Sequence, residues 1–172
     1  MKKIILITTL LLLLFCFSAY NITLIKQRNR TNDYSLNKEL VDKINYDVKG
    51  MDADEIMDYS IELTAKYLQF SEHNNIDNGK ANCVGYAKLC ASICNYALRK
   101  NGRKGYAKPV VGQVELFGIN LCPVLVACAP THKWKLFVKD HDFVEFYCGN
   151  DIIFADPCVY DLLGSDCKTI KK

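Results

Sequence analysis

Three residues of types that cooperate in thiol chemistry, Cys83, His141 and Asp156, stand where helices and strands can bring them together. A thiol attacks a carbonyl group as its thiolate, and the free N–H groups and aligned dipoles of a helix N-terminus favour that negative charge. Cys83 follows the polar stretch 73–82 and opens a helical pattern, so we expect it at a helix N-terminus. A nearby imidazole would stabilise the thiolate and later protonate a leaving amine.

Of the three histidines, His141 is the one that opens a strand pattern. Asp156 follows the strand expected to pair with it, so the two side chains can lie side by side in a sheet that faces the helix. A carboxylate there would fix the tautomer and the orientation of the imidazole. His73 lies in a polar loop and His132 near Pro130, and both positions are typical of solvated surface histidines.

Helical periodicity predicts two helices before the cysteine and one that begins with it. Apolar residues of the first recur at four-residue spacing: Leu36, Leu40 and Ile44. The second, split from the first near Gly50 and capped by Asp52 or Asp54, carries Ile56, Leu63, Tyr67 and Phe70. The third places Cys83, Ala87, Cys90 and Cys94 on one face and ends at Asn101-Gly102, with Cys90 and Cys94 in the core.

After Gly105 the residues become β-branched and aromatic, which predicts strands over 107–116, 121–127 and 134–138. Residues 143–147 and 152–155 are predicted to form a hairpin across the turn 148–151. The chain therefore has helices first and strands afterwards, which is typical of an α+β fold.

The N-terminal segment predicts export. Residues 4–25 contain no charged side chain and follow Lys2 and Lys3, so residues 1–25 are either a signal peptide or a membrane anchor, for which about 20 apolar residues suffice. Basic residues flank both ends, so orientation is only weakly set, and we expect the folded part outside the cytoplasm. Residues 26–35 are polar and predict a linker, which leaves 36–172 as one domain.

Charge and cysteine content restrict the function classes. A net charge of +3 over 172 residues, without a dense basic stripe, argues against nucleic-acid binding. Nine cysteines without a Cys-x-x-Cys pair argue against a structural zinc site, and we expect no metal and no cofactor. An oxidising compartment would permit disulfides among five of them, with no pairing specified: Cys122, Cys128, Cys148, Cys158 and Cys167.

Three motifs occur in an order that resembles the transglutaminase-like superfamily. The run Cys-Val-Gly-Tyr-Ala at 83–87, followed by Tyr-Ala-Lys-Pro-Val-Val-Gly at 106–112, resembles that family's cysteine helix and the strand after it. His-Asp-Phe-Val-Glu-Phe at 141–146 is similar to its histidine strand, and Phe-Ala-Asp-Pro at 154–157 to its closing Asp-Pro. The resemblance covers roughly residues 36–160.

The resemblance implies a papain-like fold, with a central catalytic helix packed on an antiparallel sheet, and a thioester mechanism. Cys83 would be the nucleophile, His141 the general base and acid, and Asp156 the orienting carboxylate. The substrate would be a peptide or protein amide, resolved by water or by an amine, and we favour water because the chain is small. The oligomeric state stays open.

Departures from the motifs leave an alternative open. Asp142 and Phe143 stand where the family has a small residue and Trp, and Lys108 stands where it has Arg. A carboxylate beside His141 can raise the pKa of the imidazole or compete with Asp156. The alternative is a transglutaminase-like binding module without activity. A second oxyanion donor is sought among three loop residues: Asn74, Asn75 and Asn78.

Overall fold

The computed structural model describes residues 22–128, 139–149, 151–164 and 168–171, which form a mixed fold of helices and antiparallel sheet. The helices are α1 (Lys38–Asp47), α2 (Ala53–Tyr67), α3 (Cys83–Lys100), α4 (Leu121–Cys128) and α5 (Pro157–Leu163). The strands are β1 (Ile22–Asn29), β2 (Gln69–Phe70), β3 (Lys80–Ala81), β4 (Tyr106–Leu116), β5 (Ile119–Asn120), β6 (His141–Cys148), β7 (Asp151–Ala155) and β8 (Thr169–Lys171).

Side-chain caps fix where the first two helices begin. The Asn37 side chain accepts a hydrogen bond from the Leu40 N–H at the start of α1. Asp52 caps α2 in a reciprocal arrangement with Glu55, whose side chain accepts from the Asp52 N–H. The two predicted helices are confirmed, but α2 ends at Tyr67 and the expectation that it runs to Phe70 is wrong, because Phe70 pairs with Ala81 in a short parallel bridge.

The predicted central helix is confirmed at both ends. It begins at Cys83, is capped by the Asn82 side chain, and ends at Lys100 before Asn101. Cys90 and Cys94 are buried in the main hydrophobic core, as expected from their helical face. The α3 helix packs against α2 on one side and against β4 and β6 on the other, so it is the central element of the fold.

The main sheet is antiparallel and has the strand order β1-β4-β6-β7-β8, with β5 hydrogen-bonded to β4. The predicted strand over 107–116 is confirmed. The predicted hairpin is also confirmed, with Val144 opposite Ala155 and Cys148 opposite Asp151. This pairing brings the start of β6 close to the end of β7, where His141 and Asp156 lie.

The β1 strand differs from the sequence-based expectation. Residues 22–25 had been assigned to the end of the leader and residues 26–35 to a polar linker, yet Ile22–Asn29 pairs with β4 along its length. Beyond the strand, the Arg30 N–H donates to the Pro109 carbonyl and the Asn32 side chain to Ser92 Oγ on α3. The expectation of a linker is therefore wrong for this stretch. Although it buries little apolar area, its backbone and side-chain hydrogen bonds to β4 and α3 stabilise its ordered conformation.

Basic side chains of β1 and the residue after it pair with acids of β6 and the turn before it. Lys26 Nζ lies 2.6 Å from Glu145 Oε2, and Arg28 Nη2 lies 3.1 Å from Asp140 Oδ2. Arg30 donates to both carboxylate oxygens of Asp142. Because Glu145 and Asp142 are buried, their charges need these partners, and the basic residues of the expected linker provide them.

The α4 helix overturns a second expectation. Residues 121–127 were predicted to form a strand, but Leu121–Cys128 is helical, and at its start the Cys122 N–H donates to Asn120 Oδ1. A short continuous apolar run has neither the two-residue nor the 3.6-residue period, so periodicity cannot separate strand from helix here. The predicted strand at 134–138 lies outside the described residues.

Two hydrophobic clusters stabilise the fold. The main cluster lies between the helices and the sheet and includes Tyr86, Ile93 and Phe146. The smaller cluster contains Leu24, Val110, Phe143 and Phe154, with the two phenyl rings in edge-to-face contact at 5.6 Å between centroids. Strand β1 contributes Leu24 to this second cluster.

Two sequence-based expectations concern the leader and the cysteines. Residues 1–21 of the expected leader lie outside the described residues, and no helix within the described ones is both long and apolar enough to cross a bilayer. Seven cysteines fall in the described part of the chain, and all seven are free thiols. Cys16 and Cys167 lie outside it.

The close contact between β1 and β4 yields a stability prediction at Gly112. A Cβ atom added there would collide with the Ile25 carbonyl oxygen and lie 2.7 Å from Phe143 Cε1. We expect Gly112→Ala to lower the free energy of unfolding by about 1–3 kcal/mol, because neither neighbour can withdraw freely. Urea denaturation measures the change, and Gln113→Ala in the same strand is the matched control. Equal stability of the two variants would mean that β1 does not pack on β4.

Candidate active site

Cys83 is the first residue of α3, and local hydrogen bonds hold it there. The Asn82 side chain accepts from the Val84 N–H at 3.0 Å, and the Asn82 N–H donates to Asn74 Oδ1 at 3.0 Å. Cys83 is 9% exposed, so its thiol is largely shielded and still borders solvent. The expected position at a helix N-terminus, where free N–H groups favour a thiolate, is confirmed.

A glycine one turn into α3 permits this close packing. A Cβ atom at Gly85 would lie 2.5 Å from Ala81 Cβ and 2.6 Å from Asn74 Oδ1. Only a residue without a side chain lets the loop with Asn74 lie against the first turn of α3. Asn74 therefore holds the start of the helix through its side-chain oxygen.

His141 and Asp156 meet, as the sequence predicts. Nε2 of His141 lies 2.5 Å from Oδ2 of Asp156, across the hairpin of β6 and β7. Asp156 is 0% exposed, whereas the His141 side chain is 20% exposed. With Nε2 bonded to the carboxylate, Nδ1 is the ring nitrogen left for the thiol of Cys83.

Asp156 has a second role that fixes its orientation. Its other oxygen, Oδ1, accepts from the N–H groups of Cys158 at 3.0 Å and Val159 at 3.1 Å, so the residue caps α5. Pro157 occupies the first turn of that helix, where a missing N–H costs nothing. Both carboxylate oxygens are therefore engaged, one by the helix and one by the imidazole.

Tyr86 ties α5 to the cysteine helix. Its hydroxyl lies 2.6 Å from Asp161 Oδ2 and 3.1 Å from the Leu68 carbonyl oxygen. Burial and the neighbouring carboxylate of Asp161 raise the pKa of Tyr86, so the phenol stays protonated and can donate. This tyrosine belongs to the Cys-x-x-Tyr-Ala run, and here it fixes the helix that Asp156 caps.

The electrostatics of His141 favour the imidazolium. Burial lowers the pKa of His141, but the charge and hydrogen bond of Asp156, together with a hydrogen bond to Cys83, outweigh it and raise the pKa well above its usual range. Cys83 and Asp156 thus both raise the pKa of the same ring. An imidazolium next to the sulfur stabilises a thiolate, which is the reactive form.

Two of the three departures from the family pattern, Asp142 and Phe143, have structural roles. Asp142 is held by two hydrogen bonds from Arg30, while the bond to His141 comes from Asp156. Burial raises the pKa of Asp142, and the Arg30 charge opposes that rise. Phe143 is fully buried in the smaller hydrophobic cluster. Neither residue displaces Asp156 from the imidazole.

Lys108 neutralises a buried acid. Its Nζ lies 3.1 Å from Glu145 Oε2 and 4.9 Å from the centroid of the Tyr147 ring. Tyr147 stacks on Tyr106 with 4.1 Å between centroids. Although burial opposes the charge of Glu145, Lys26 and Lys108 hold the pKa of that carboxyl below its usual value. The lysine therefore has a role in the sheet and lies away from the thiol.

A cleft of about 360 Å³ opens beside Cys83 and His141. Eight of its twelve lining residues are aliphatic or aromatic, and they come from several helices and strands. They include Ile22, Phe70, Val114, Leu121, Leu125 and Leu162. Sequence reasoning missed this cleft. The apolar run at 121–127 is one signal of it in the sequence, and that run predicts a strand.

The remaining candidates stay apart from the cleft lining. Asn74 is a positioning residue at the helix start, Asn75 bonds through its backbone to Lys80, and Asn78 lies in the 3₁₀ turn Ile76–Asn78. His73 is exposed in its loop, as expected, and His132 lies outside the described residues. Among the residues with described positions, no group of three or more His, Cys, Asp or Glu side chains is arranged to hold a metal ion.

The geometry brings together a shielded thiol at a helix N-terminus, an imidazole and a buried carboxylate. These groups can form a thiolate, deliver a proton and orient the ring that carries it. Comparisons of the chain with known protein families, with curated proteins and with solved structures found no match in any of the three.

The raised pKa of His141 depends on Asp156 in this structure. We predict that Asp156→Asn lowers the His141 pKa, because burial still opposes the imidazolium while the carboxylate that offsets it is gone. Titration of the imidazole ring protons by NMR measures this, with the signal assigned by its loss in His141→Gln. An unchanged pKa in Asp156→Asn would show that the pair is not formed.

The same pair makes stability depend on pH. Because the folded-state pKa is raised, protonated His141 stabilises the fold below the pKa of an unfolded histidine, and this contribution is lost as pH rises through the folded value. Asp156→Asn should reduce that pH dependence while its side-chain oxygen still caps α5. Urea denaturation midpoints of wild type and Asp156→Asn, measured from below the pKa of an unfolded histidine to above it, test this prediction.

Proposed function

We propose that this protein is a thiol enzyme of transglutaminase-like type, with a papain-like arrangement of helix and sheet, that acts on amide bonds through Cys83, His141 and Asp156. The observation that carries the proposal is the placement of His141. A fully buried carboxylate holds one ring nitrogen at 2.5 Å, and the other nitrogen is left for the thiol at the start of α3.

The proposed reaction begins with the thiolate of Cys83. Its sulfur attacks the carbonyl carbon of a peptide or glutamine-type amide, and the carbon–sulfur bond forms as the carbonyl π electrons move to oxygen. The carbon–nitrogen bond then breaks, and the leaving amine takes the proton from His141. A water molecule then gives a proton to the neutral imidazole and attacks the carbonyl carbon of the thioester. The carbon–sulfur bond breaks, which releases a carboxylic acid and restores the thiolate and the imidazolium.

Two features of the site support these steps. The N–H of Cys83 at the start of α3 can stabilise the oxyanion, because a backbone donor of the nucleophile residue lies beside the charge that develops next to the sulfur. The second feature is the access of solvent to the imidazole, whose side chain is 20% exposed. Water can thus reach the thioester, which is why we favour hydrolysis over transfer to an amine.

The two departures that favoured an inactive binding module, Asp142 and Phe143, do not disturb the proposed site. Asp142 is occupied by Arg30, and Phe143 is a core residue. Neither residue prevents the hydrogen bond between His141 and Asp156.

We also propose that the protein is exported and acts on a peptide or protein substrate, and that it does not bind nucleic acid. Because Ile22 lines the cleft and lies near the end of the uncharged N-terminal segment 4–25, an uncleaved leader would keep the cleft close to the membrane surface.

Alkylation by iodoacetamide tests the proposed nucleophile, with an internal control in the same chain. We expect Cys83 to react at pH 6 at least about tenfold faster than Cys128, because a thiolate reacts and a thiol does not. Cys128 is exposed and Cys83 is shielded, so access alone predicts the opposite order. Peptide mass spectrometry after timed quenching gives both rates.

Two outcomes of this experiment decide whether Cys83 is an activated nucleophile. Loss of the advantage of Cys83 in His141→Ala, with no loss in His73→Ala, supports the proposal. A wild-type Cys83 that reacts no faster than Cys128 rejects it.

Turnover measurements distinguish the role of Asp156 from that of Asp142, the residue next to His141 in the sequence. With an activated p-nitrophenyl ester as acyl donor, we expect Cys83→Ala to abolish turnover and Asp156→Asn to lower kcat by about 10²–10⁴, because Asn favours the tautomer that cannot accept the thiol proton. The control Asp142→Asn should lower stability by about 1–3 kcal/mol and keep kcat, since its partner is Arg30. Equal loss of kcat in both Asn variants would contradict the assignment.

A further inference from the structure

The cleft beside the proposed nucleophile has a composition that selects its ligand. Within the described residues, the lining contains no lysine or arginine. Asp140 is its one acid, and that carboxylate already pairs with Arg28 at 3.1 Å. The cationic imidazole of His141 in the lining is already paired with the buried Asp156, so an anionic group in the cleft would meet the Asp140 carboxylate without an unpaired cation in the lining, and the charges disfavour acidic substrates.

The apolar lining is unusually open to solvent. Leu162 is 80% exposed, Phe70 is 50% exposed and Leu125 is 49% exposed, although all three lie around one cavity. Single exposed apolar residues need no explanation, whereas a set of them around a concave site is typical of ligand binding. Covering them would release water from three elements at once: β2, α4 and α5.

On the basis of the proposed function, we propose that this cleft binds a large apolar side chain or acyl chain next to the carbonyl that Cys83 attacks, and so makes the enzyme selective for apolar acyl donors. The cleft touches both Cys83 and His141, so a group seated in it lies beside the reacting atoms. Its volume, about 360 Å³, is at the small end of the range of ligand sites, about 300–1,000 Å³, which suits a single bulky group.

Matched alkylating reagents test the selectivity without knowledge of the natural substrate. One iodoacetamide carries an N-hexyl chain, and the other carries an ether–alcohol chain of the same length. In both cases the sulfur of Cys83 forms a bond to carbon as iodide leaves. We expect the hexyl reagent to alkylate Cys83 at least about tenfold faster than the polar reagent, since burial of methylene groups in an apolar cleft is favourable and burial of unpaired polar groups is costly.

Variants locate the preference in the cleft. Leu125→Asn combined with Leu162→Asn should reduce the hexyl-to-polar rate ratio toward the ratio measured at Cys128. Ile170→Asn removes an exposed isoleucine of β8 that does not line the cleft, and should leave the ratio unchanged. Both cleft leucines are substantially exposed, so the double variant is expected to fold, and circular dichroism checks this.

The outcomes separate this inference from the proposed function. Fast alkylation of Cys83 by plain iodoacetamide with equal hexyl and polar rates would keep the thiol enzyme and overturn the apolar selectivity. A hexyl preference that survives in the double leucine variant also overturns it. Slow reaction with plain iodoacetamide together with a cleft-dependent hexyl preference would reject the enzyme and support an apolar binding cleft.

Discussion

The carboxylate of Asp156 is the constraint on which the rest of the site depends. It is fully buried, one oxygen caps α5 and the other holds the imidazole of His141 at 2.5 Å. A buried charge is costly unless its hydrogen bonds are made, and here the helix and the histidine make them together. Since Tyr86 also fixes α5 to the cysteine helix, the carboxylate, the ring and the thiol belong to one continuous network.

The same principle explains the strand that sequence reasoning assigned to the end of the leader and a linker. Three carboxylates are buried on β6 or just after β7, and each has a cation or an imidazole beside it. Lys26 and Arg30 supply two of these partners from β1 and the residue that follows it. Strand β1 and the residue after it therefore add to the sheet both backbone hydrogen bonds and the positive charges that pair with buried acids.

Most of the site could be predicted from sequence, because its signals are local or have a strict order. The polar stretch 73–82 before the helical pattern marks a helix start at Cys83, and the hairpin pattern of β6 and β7 brings His141 next to Asp156. The roles of Arg30 and Lys26 could not be predicted, because their acidic partners lie more than a hundred residues away. The α4 helix was missed because its eight residues are uniformly apolar, so no period distinguishes helix from strand.

If Asp156 acts on Cys83 only through His141, a double-mutant cycle on the rate of Cys83 alkylation reveals that dependence. The cycle compares wild type, Asp156→Asn, His141→Gln and the double variant with one small neutral reagent. We predict that each single change slows alkylation and that Asp156→Asn has no further effect once His141 is replaced. Independent effects that multiply in the double variant would contradict it.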